Sequence, residues 1–411
     1  MGTIERIREW DIPALDGYRA LASLLVLTTH VGFATGAILW EGIGPVVGRM
    51  DFGVALFFLL SGFLLSQPWL RAAEGTRGWP NPRIYLVRRG VRIFPAYWIA
   101  MAVALIVLPQ NTAATPADWV RYGLLVQIYS EPTVYGGLTH MWSLAVEVSF
   151  YVVLPALMWL ALRWRRAPSA QPRTMTPVIV ALLAVGFGFR LLALGPLRGT
   201  MAGVWLPGYL DWFAAGMLAS YARVVAGRDA VPRWARALRD MAADGTTSVL
   251  IGVLLLIISF TPVAGPVTLD QPTVWEGLVK HGLYGASAFF LLLPAFLGRP
   301  TGVVSRAMSV PVLRRLGQIS YGIFLWHLLL LELLQPALGL SLFGGGFWLL
   351  WPATVAASVV VATLSWLLVE SPLLTRAHAS TRVRAVPALP DVPPRASGDT
   401  ARPVSPGQAS I

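Results

Sequence analysis

The apolar residues of this chain gather in long runs that are separated by short polar segments. A helix that crosses a bilayer needs about 20 mostly apolar residues. The pattern therefore predicts an all-α, polytopic membrane protein with about ten transmembrane helices. Another apolar segment, residues 118–130, is too short to cross and is interpreted as interfacial or re-entrant. The ten predicted spans are residues 15–37, 52–70, 93–109, 141–162, 176–195, 204–224, 246–261, 277–298, 318–338 and 346–369.

Basic residues are distributed unequally between the two sides of this arrangement. The segments on the side of the N-terminus carry 26 of the 32 Lys and Arg residues, whereas the opposite loops carry three. Short loops rich in Lys and Arg stay in the cytoplasm. The bias predicts that both termini are cytoplasmic, which requires an even number of spans and agrees with ten.

Composition supports a membrane protein and excludes several kinds of site. The chain is 56% hydrophobic and only 13% charged, about half the charge of a soluble protein. The lipid bilayer is therefore an expected partner. The net charge of +12 is explained by cytoplasmic loops, so no nucleic-acid partner is expected. The absence of cysteine excludes disulfide bonds, thiol catalysis and thiolate metal sites.

The end of the chain differs from the rest. From about residue 376 it is rich in Pro, Ala, Ser and Arg and lacks hydrophobic periodicity. Such a segment buries too little apolar surface to fold. We expect a membrane domain over residues 1–375 and a disordered cytoplasmic tail over residues 376–411.

The first predicted span carries three ionisable residues, Asp16, Arg19 and His30. Ionisable side chains inside a membrane are costly and are usually functional. His30 lies 11 residues after Arg19, which is about 16 Å along a helix and within about 20° of the same face. The spacing favours a polar path along one side of this helix. The alternative is that Asp16 and Arg19 pair structurally while His30 only hydrogen-bonds a neighbour.

The fourth predicted span presents a polar stripe formed by Ser143, Glu147 and Tyr151, which are spaced by four residues. Glu147 is expected at a depth similar to that of His30. A carboxylate beside an imidazole fixes its tautomer and raises its basicity. Glu147 is thus a candidate catalytic residue that orients His30, and the alternative is a structural hydrogen bond between helices.

Two further groups are candidates for substrate binding or structural support. Tyr321 and His327 lie in the ninth predicted span, where His327 either binds substrate or bonds a neighbouring helix. Arg88, Arg89 and Arg92 stand just before the third predicted span. They are explained either by the positive charge of cytoplasmic loops or by a phosphorylated ligand from the cytosol.

Other polar residues have structural interpretations. Arg190 and Asp211 are predicted to form an ion pair between the fifth and sixth spans, and Asp51 is interpreted as a helix N-terminal charge. Ser61 and Gly62 are small enough to allow close helix packing. The five histidines lack a metal-ligand spacing, so no metal is expected.

Five stretches of the sequence resemble, in order, the motifs of the membrane acyltransferase-3 family. They are LDGYRALASLLVLTTH, DFGVALFFLLSGFLL, RRGVRIFPAYW, MWSLAVEVSFYVVLP and ISYGIFLWH, and the closing LLVESPL with Glu370 is also similar. The resemblance covers residues 15 to about 375. It implies an O-acyltransferase without the periplasmic hydrolase-like domain of some members.

The resemblance also implies a reaction and its residues. An acyl group, commonly acetyl, would pass from cytosolic acyl-CoA as co-substrate to a hydroxyl of a sugar, envelope glycan, glycolipid or glycosylated small molecule. No bound cofactor is implied, and the location would be a bacterial-type plasma membrane. His30 and Arg19 match the essential residues of the family's first helix. Glu147 matches the glutamate of the fourth helix. Arg88, Arg89 and Arg92 match the arginine motif and would bind the donor.

A transporter or flippase of an envelope precursor is the alternative function. It would use the same polar residues as a relay. Transporters are commonly built from inverted repeats with broken helices, and this sequence shows no repeat.

Overall fold

The fold is all-helical throughout the part of the chain that the computed structural model describes. Those residues are 12–130, 134–163, 175–228, 230–268 and 270–383, without the side chains of 162, 163 and 378–383. The helices are α1 Pro13–Thr35, α2 Gly44–Gly48, α3 Gly53–Ala73, α4 Pro82–Val107, α5 Pro116–Gly123, α6 Met141–Arg163, α7 Met175–Leu194, α8 Leu210–Val225, α9 Arg233–Ala243, α10 Gly245–Ser259, α11 Val274–Leu297, α12 Val303–Met308, α13 Pro311–Gln318, α14 Ser320–Ala337, α15 Phe347–Ser365 and α16 Ser371–Val383, with a π-helical segment Trp366–Glu370 between the last two.

Each of the ten predicted segments contains one long helix, but fewer than ten meet the usual requirements for a span. Six helical segments of the described chain are long and apolar enough to cross a membrane, or up to eight if each of two bent helix pairs counts as one span. The pairs are α9 with α10, bent by 90°, and α13 with α14, bent by 68°. Helix α8 has only 16 residues. Helix α1 carries Asp16, Arg19 and His30 within its 23 residues.

Local signals set the ends of the helices that surround the site. Helix α1 begins at Pro13, whose missing N–H costs nothing in the first turn, and it ends at Gly36 in the left-handed conformation. The Asn81 side chain accepts hydrogen bonds from the backbone N–H groups of Arg83 and Ile84 and so caps α4.

The start of α4 differs from the predicted one. The sequence predicts a helix from residue 93 with Arg88, Arg89 and Arg92 before it, but α4 begins at Pro82 and contains all three arginines. Around this helix Arg92 lies between the other two, about 40° from Arg88 and about 60° from Arg89, while Arg88 and Arg89 are about 100° apart. The three arginines therefore share one broad face of α4, with Arg88 and Arg89 at its two edges.

Close packing of α3 on α8 forms the centre of the fold. At Gly62 an added Cβ would overlap the backbone of Phe213, and at Gly216 it would overlap the backbone of Leu59. Small residues allow backbones to approach this closely. The packing predicted for Gly62 is confirmed. Helix α1 lies beside this pair and contacts α3, α13 and α14.

The last helix continues to Val383, past the boundary expected at residue 375. The rest of the predicted tail lies outside the described residues.

Candidate active site

Five helices, α1, α3, α4, α6 and α14, enclose a cavity of about 250 Å³. One part of its wall is apolar and includes Phe57 and Phe324, whose rings lie edge-to-face at 6.0 Å. The rest is polar and brings together six of the residues predicted from the sequence. These six are Arg19, Arg89, Arg92, Ser143, Glu147 and Tyr321, and the other polar residues of the lining are Ser61, Tyr151 and Ser320.

Glu147 is held in this cavity by two hydroxyl groups. Tyr151 donates a hydrogen bond to Glu147 Oε1 at 2.6 Å, and Ser61 donates to the same oxygen. The described residues show no hydrogen bond between Glu147 and His30, so orientation of His30 by Glu147 stays a prediction. A catalytic role of Glu147 itself stays a prediction. The predicted stripe of Ser143, Glu147 and Tyr151 does line the cavity as one face.

Two of the arginines line both this cavity and a second one. Arg89 and Arg92 line both, whereas Arg88 lines only the second cavity of about 600 Å³, which lies between residues 77–81, the first turns of α4 and the start of α16. The Arg89 guanidinium lies 5.9 Å from the centre of the Tyr151 ring. The two cavities are therefore neighbours that share Arg89 and Arg92 in their walls.

Three other predicted residues, Asp16, Tyr321 and Ser143, make hydrogen bonds or ion pairs with neighbouring protein groups. Asp16 pairs with Arg19 at 3.2 Å, as one of the two interpretations of the sequence had it. The Tyr321 hydroxyl donates to the Ile93 carbonyl at 2.8 Å and joins α14 to α4. Ser143 donates to the His140 carbonyl at 3.1 Å.

Three histidines form a cluster next to the cavity. The rings of His30 and His327 are 5.1 Å apart, and His140 lies 4.6 Å from His327 and 6.0 Å from His30. Phe324 lines the cavity and contacts the rings of both His140 and His327. His140 was not predicted as a site residue. Its only sequence signal is its position directly before the fourth predicted span.

The hydrogen bonds of the cluster assign a tautomer to His30. His30 Nδ1 lies 2.8 Å from the Val26 carbonyl, which only accepts, so Nδ1 carries the proton. His327 Nδ1 likewise donates to the Phe324 carbonyl at 2.7 Å, which leaves His327 Nε2 to accept from His30 Nδ1 at 3.2 Å. His30 Nε2 makes no hydrogen bond with any described residue and keeps its lone pair.

Polar contacts with α14 and with the turn after α4 fix the segment that leads to His140. The Gly137 N–H donates to Glu332 Oε1 at 2.8 Å, and Gln110 donates to the other oxygen of Glu332 at 2.7 Å. Asn111 exchanges two hydrogen bonds with Gly136. Nearby, hydrogen bonds from Thr115 and then Tyr135 lower the pKa of Asp118 to about 2. The carboxylate therefore stays ionised and holds this segment in place.

One predicted contact outside the cavity is wrong. Asp211 pairs with His281 Nε2 at 2.7 Å instead of with Arg190. Arg190 donates to the Gly203 carbonyl at 2.7 Å and to the Tyr209 hydroxyl at 3.3 Å. Among the described residues, no group of three or more His, Cys, Asp or Glu side chains is arranged to hold a metal ion.

A family model and several known proteins match most of this chain. The family model described as "Acyltransferase domain" matches residues 12–370. The peptidoglycan O-acetyltransferase OatA of Listeria monocytogenes is 26% identical over 396 residues, which are 88% of this chain and 56% of that protein. Nodulation protein 10 of Rhizobium leguminosarum is 26% identical over 360 residues, covering 78% of this chain and 82% of that protein.

This chain thus spans little more than half the length of the Listeria relative. No solved structure matches it. Because the family model covers nearly all of the described residues and includes every motif of the cavity, the chain belongs to the membrane acyltransferase-3 family.

Proposed function

We propose that this protein is an O-acyltransferase that transfers an acyl group, which we take to be acetyl, from acyl-CoA to a hydroxyl of a carbohydrate-containing acceptor. The observation that carries the proposal is that the arginine-lined cavity and the histidine cluster lie side by side, with Phe324 between them. An arginine-lined cavity leads to Phe324, and behind Phe324 lies a histidine cluster in which His30 Nε2 has a free lone pair. The name of the Listeria relative supports acetyl transfer to a glycan.

The arginines suit the donor. Guanidinium groups bind phosphate oxygens through paired, charge-assisted hydrogen bonds. In our proposal the nucleotide end of acyl-CoA occupies the larger cavity near Arg88, and Arg89 and Arg92 bind the diphosphate where the two cavities meet. The pantetheine arm then extends past Arg19 and Glu147 toward the histidines. The smaller cavity is polar on one wall and apolar on the other, which suits an amide-containing aliphatic arm.

In this proposal His30 is the general base. His30 Nε2 would take the proton of the acceptor hydroxyl as its oxygen attacks the thioester carbonyl. The carbon–sulfur bond then breaks, and the leaving thiolate receives that proton from His30, so that free CoA and an ester are the products. His327 keeps the His30 Nδ1 proton in place and is a positioning residue. Transient transfer of the acyl group to His30 Nε2 is compatible with the same geometry.

The topology proposed with this function has ten spans and both termini in the cytoplasm of a bacterial-type cell. Asp16, Arg19 and the α4 arginines then lie at the cytoplasmic end, where acyl-CoA is found. His30 lies about 16 Å further along α1, in the middle-to-outer half of the membrane. The acceptor would approach from outside.

A transporter is the second candidate, since two bent helix pairs are present and broken helices are common in transporters. One measurement distinguishes an acyltransferase from a transporter. Membranes containing the protein, incubated with acetyl-CoA labelled in the acetyl group, should release CoA and place label in carbohydrate. A transporter would do neither.

Replacing Arg88, Arg89 and Arg92 with Gln tests donor binding. Each hydrogen bond to a charged group contributes about 1.5–3 kcal/mol, so acetyl-CoA affinity should fall at least about tenfold. The matched control replaces Arg233, Arg236 and Arg239 of α9, which line neither of these cavities, and removes the same charge. Equal acetyl-CoA affinity in both triple variants, with normal insertion, would show that the α4 arginines serve only topology.

A further inference from the structure

A second polar cluster lies where α1 ends and where α3 and α11 begin. Lys280 Nζ donates to Asp51 Oδ2 at 2.7 Å, and the Tyr284 hydroxyl donates to Asp51 Oδ1. The Lys280 ammonium also lies 5.2 Å from the centre of the Tyr284 ring. Asp51 is therefore more than a helix N-terminal charge, and none of these groups takes part in the donor cavity.

The neighbouring Arg49 holds this region together through buried hydrogen bonds. It is only 2% exposed and donates to the carbonyls of Ser259 at 3.0 Å, Ala264 at 2.8 Å and Gly265. These bonds join the turn before α3 to the loop before α11. In contrast, the side chains of Asp51 and Lys280 are 39% and 30% exposed.

The exposed pair retains unused hydrogen-bonding capacity. An ammonium group has three donors and a carboxylate accepts about four hydrogen bonds. Within the described residues, Lys280 uses one donor and Asp51 accepts two bonds. Donors and acceptors thus remain side by side, which complements adjacent sugar hydroxyls because each hydroxyl both donates and accepts.

A hydrogen bond links the turn that carries Asp51 to the residue next to the proposed base in sequence. Thr29, beside His30 in sequence, donates to the Gly48 carbonyl at 3.2 Å and holds the turn that carries Asp51 against α1. Arg19 is 11 residues from His30 toward the other end of α1. The pair and the donor arginines therefore approach His30 from opposite ends of the bundle.

We propose that Asp51 and Lys280 form the acceptor site and bind vicinal hydroxyls of a carbohydrate so that one hydroxyl reaches His30 Nε2. This inference rests on the proposed function and assigns its acceptor to named residues. The ion pair would open or rotate to admit the sugar, with hydroxyls replacing part of the Lys280–Asp51 contact.

Kinetics of the reconstituted full chain test the assignment, with N-acetylchitotriose and maltotriose as soluble acceptors and labelled acetyl-CoA as donor. Asp51→Asn and Lys280→Met should each raise the acceptor KM roughly 10- to 100-fold, since each removes a charged hydrogen-bonding partner. The affinity for acetyl-CoA should not change. The control is Glu74→Gln, which breaks the Arg228–Glu74 ion pair at the opposite end of α3. An unchanged acceptor KM in both site variants would overturn the assignment.

A second measurement does not depend on catalysis. Lys280 is the only lysine of the chain, so an amine-selective reagent reports on it alone once the labelled peptide is identified by mass spectrometry. Either oligosaccharide should slow labelling of Lys280, whereas acetyl-CoA should not. If the protein fails to bind acetyl-CoA, the proposed function fails while sugar protection still supports a carbohydrate site. Lack of protection by both sugars would overturn that site.

Discussion

At the scale of single residues, the chemistry depends on contacts that are remote in sequence. His30 was predictable because an ionisable group stands out in an apolar run. Its tautomer was not, since it depends on His327, 297 residues later. His140 was missed for the same reason: it stands outside every apolar run, and only the fold brings it to His327.

His30→Gln is the sharpest test of the proposed base. Glutamine keeps hydrogen-bonding groups but exchanges no proton near neutral pH. We expect kcat to fall by roughly 10²–10⁴, the usual contribution of general-base catalysis. Acetyl-CoA binding should persist because the arginines are unchanged. The rate of labelled acetyl transfer and equilibrium binding of acetyl-CoA are the two measurements.

The control for this variant is His281→Gln, which also removes a buried imidazole but one bonded to Asp211 outside the cavity. It should transfer acetyl groups at close to the normal rate. Near-normal turnover by a correctly inserted His30→Gln protein would make His30 structural and direct the search to Glu147 or His327.

His327→Leu addresses positioning instead of chemistry. His30 Nδ1 would lose one of its two acceptors, Val26 O remaining. A neutral hydrogen bond contributes about 1 kcal/mol, so kcat should fall roughly fivefold with an unchanged KM for acetyl-CoA. A parallel rise of KM for acetyl-CoA would instead show that His327 contacts the donor.

At the scale of helices, apolar runs predicted which segments are helical but misplaced one important boundary. The arginines in the first turns of α4 interrupt the apolar pattern and look like a loop, whereas the Asn81 cap and Pro82 start the helix 11 residues before the predicted position. The difference matters for the site, because on a helix Arg88 and Arg89 stand at opposite edges of one face, and only Arg89 and Arg92 line both cavities.

The packing of α3 on α8 gives a prediction about stability. In Gly62→Ala the new Cβ would overlap the Phe213 backbone, which is unable to move like a flexible side chain. Overpacking of this kind costs about 1–3 kcal/mol. The midpoint of thermal unfolding in detergent should therefore fall.

Gly188→Ala is the matched control, because Gly188 lies in α7 and a Cβ there would meet nothing within 4 Å. Alanine is favoured over glycine inside a helix by about 0.5–1 kcal/mol, so this variant should be unchanged or slightly more stable. If Gly62→Ala unfolds no earlier than Gly188→Ala, the close approach of α3 and α8 is absent in the membrane.

At the scale of the whole molecule, the motifs of the sequence predicted more about the protein than the spacing of its apolar runs did. Apolar runs indicate helices but do not tell which of them meet, so the cavity between α1, α3, α4, α6 and α14 was not predictable from them. The order of five motifs predicted the family, and the family model over residues 12–370 confirms it. The fold places the proposed donor-binding and acceptor-binding residues toward opposite ends of α1. Which of them faces the cytoplasm depends on the direction in which the chain crosses the membrane.

Cysteine accessibility decides that direction, and the chain has no native cysteine to interfere. Ala113 and Ala237 are both exposed and lie on opposite sides in the proposed topology. Loops rich in Lys and Arg remain in the cytoplasm, and α9, which contains Ala237, carries Arg233, Arg236 and Arg239. In intact cells a membrane-impermeant maleimide should therefore label Ala113→Cys, and Ala237→Cys should react only after the membrane is opened. The reverse pattern would place His30 nearer the cytoplasmic face and Arg19 outside, where no acyl-CoA is found, so the donor path, the acceptor site and the transfer across the bilayer would all fail together.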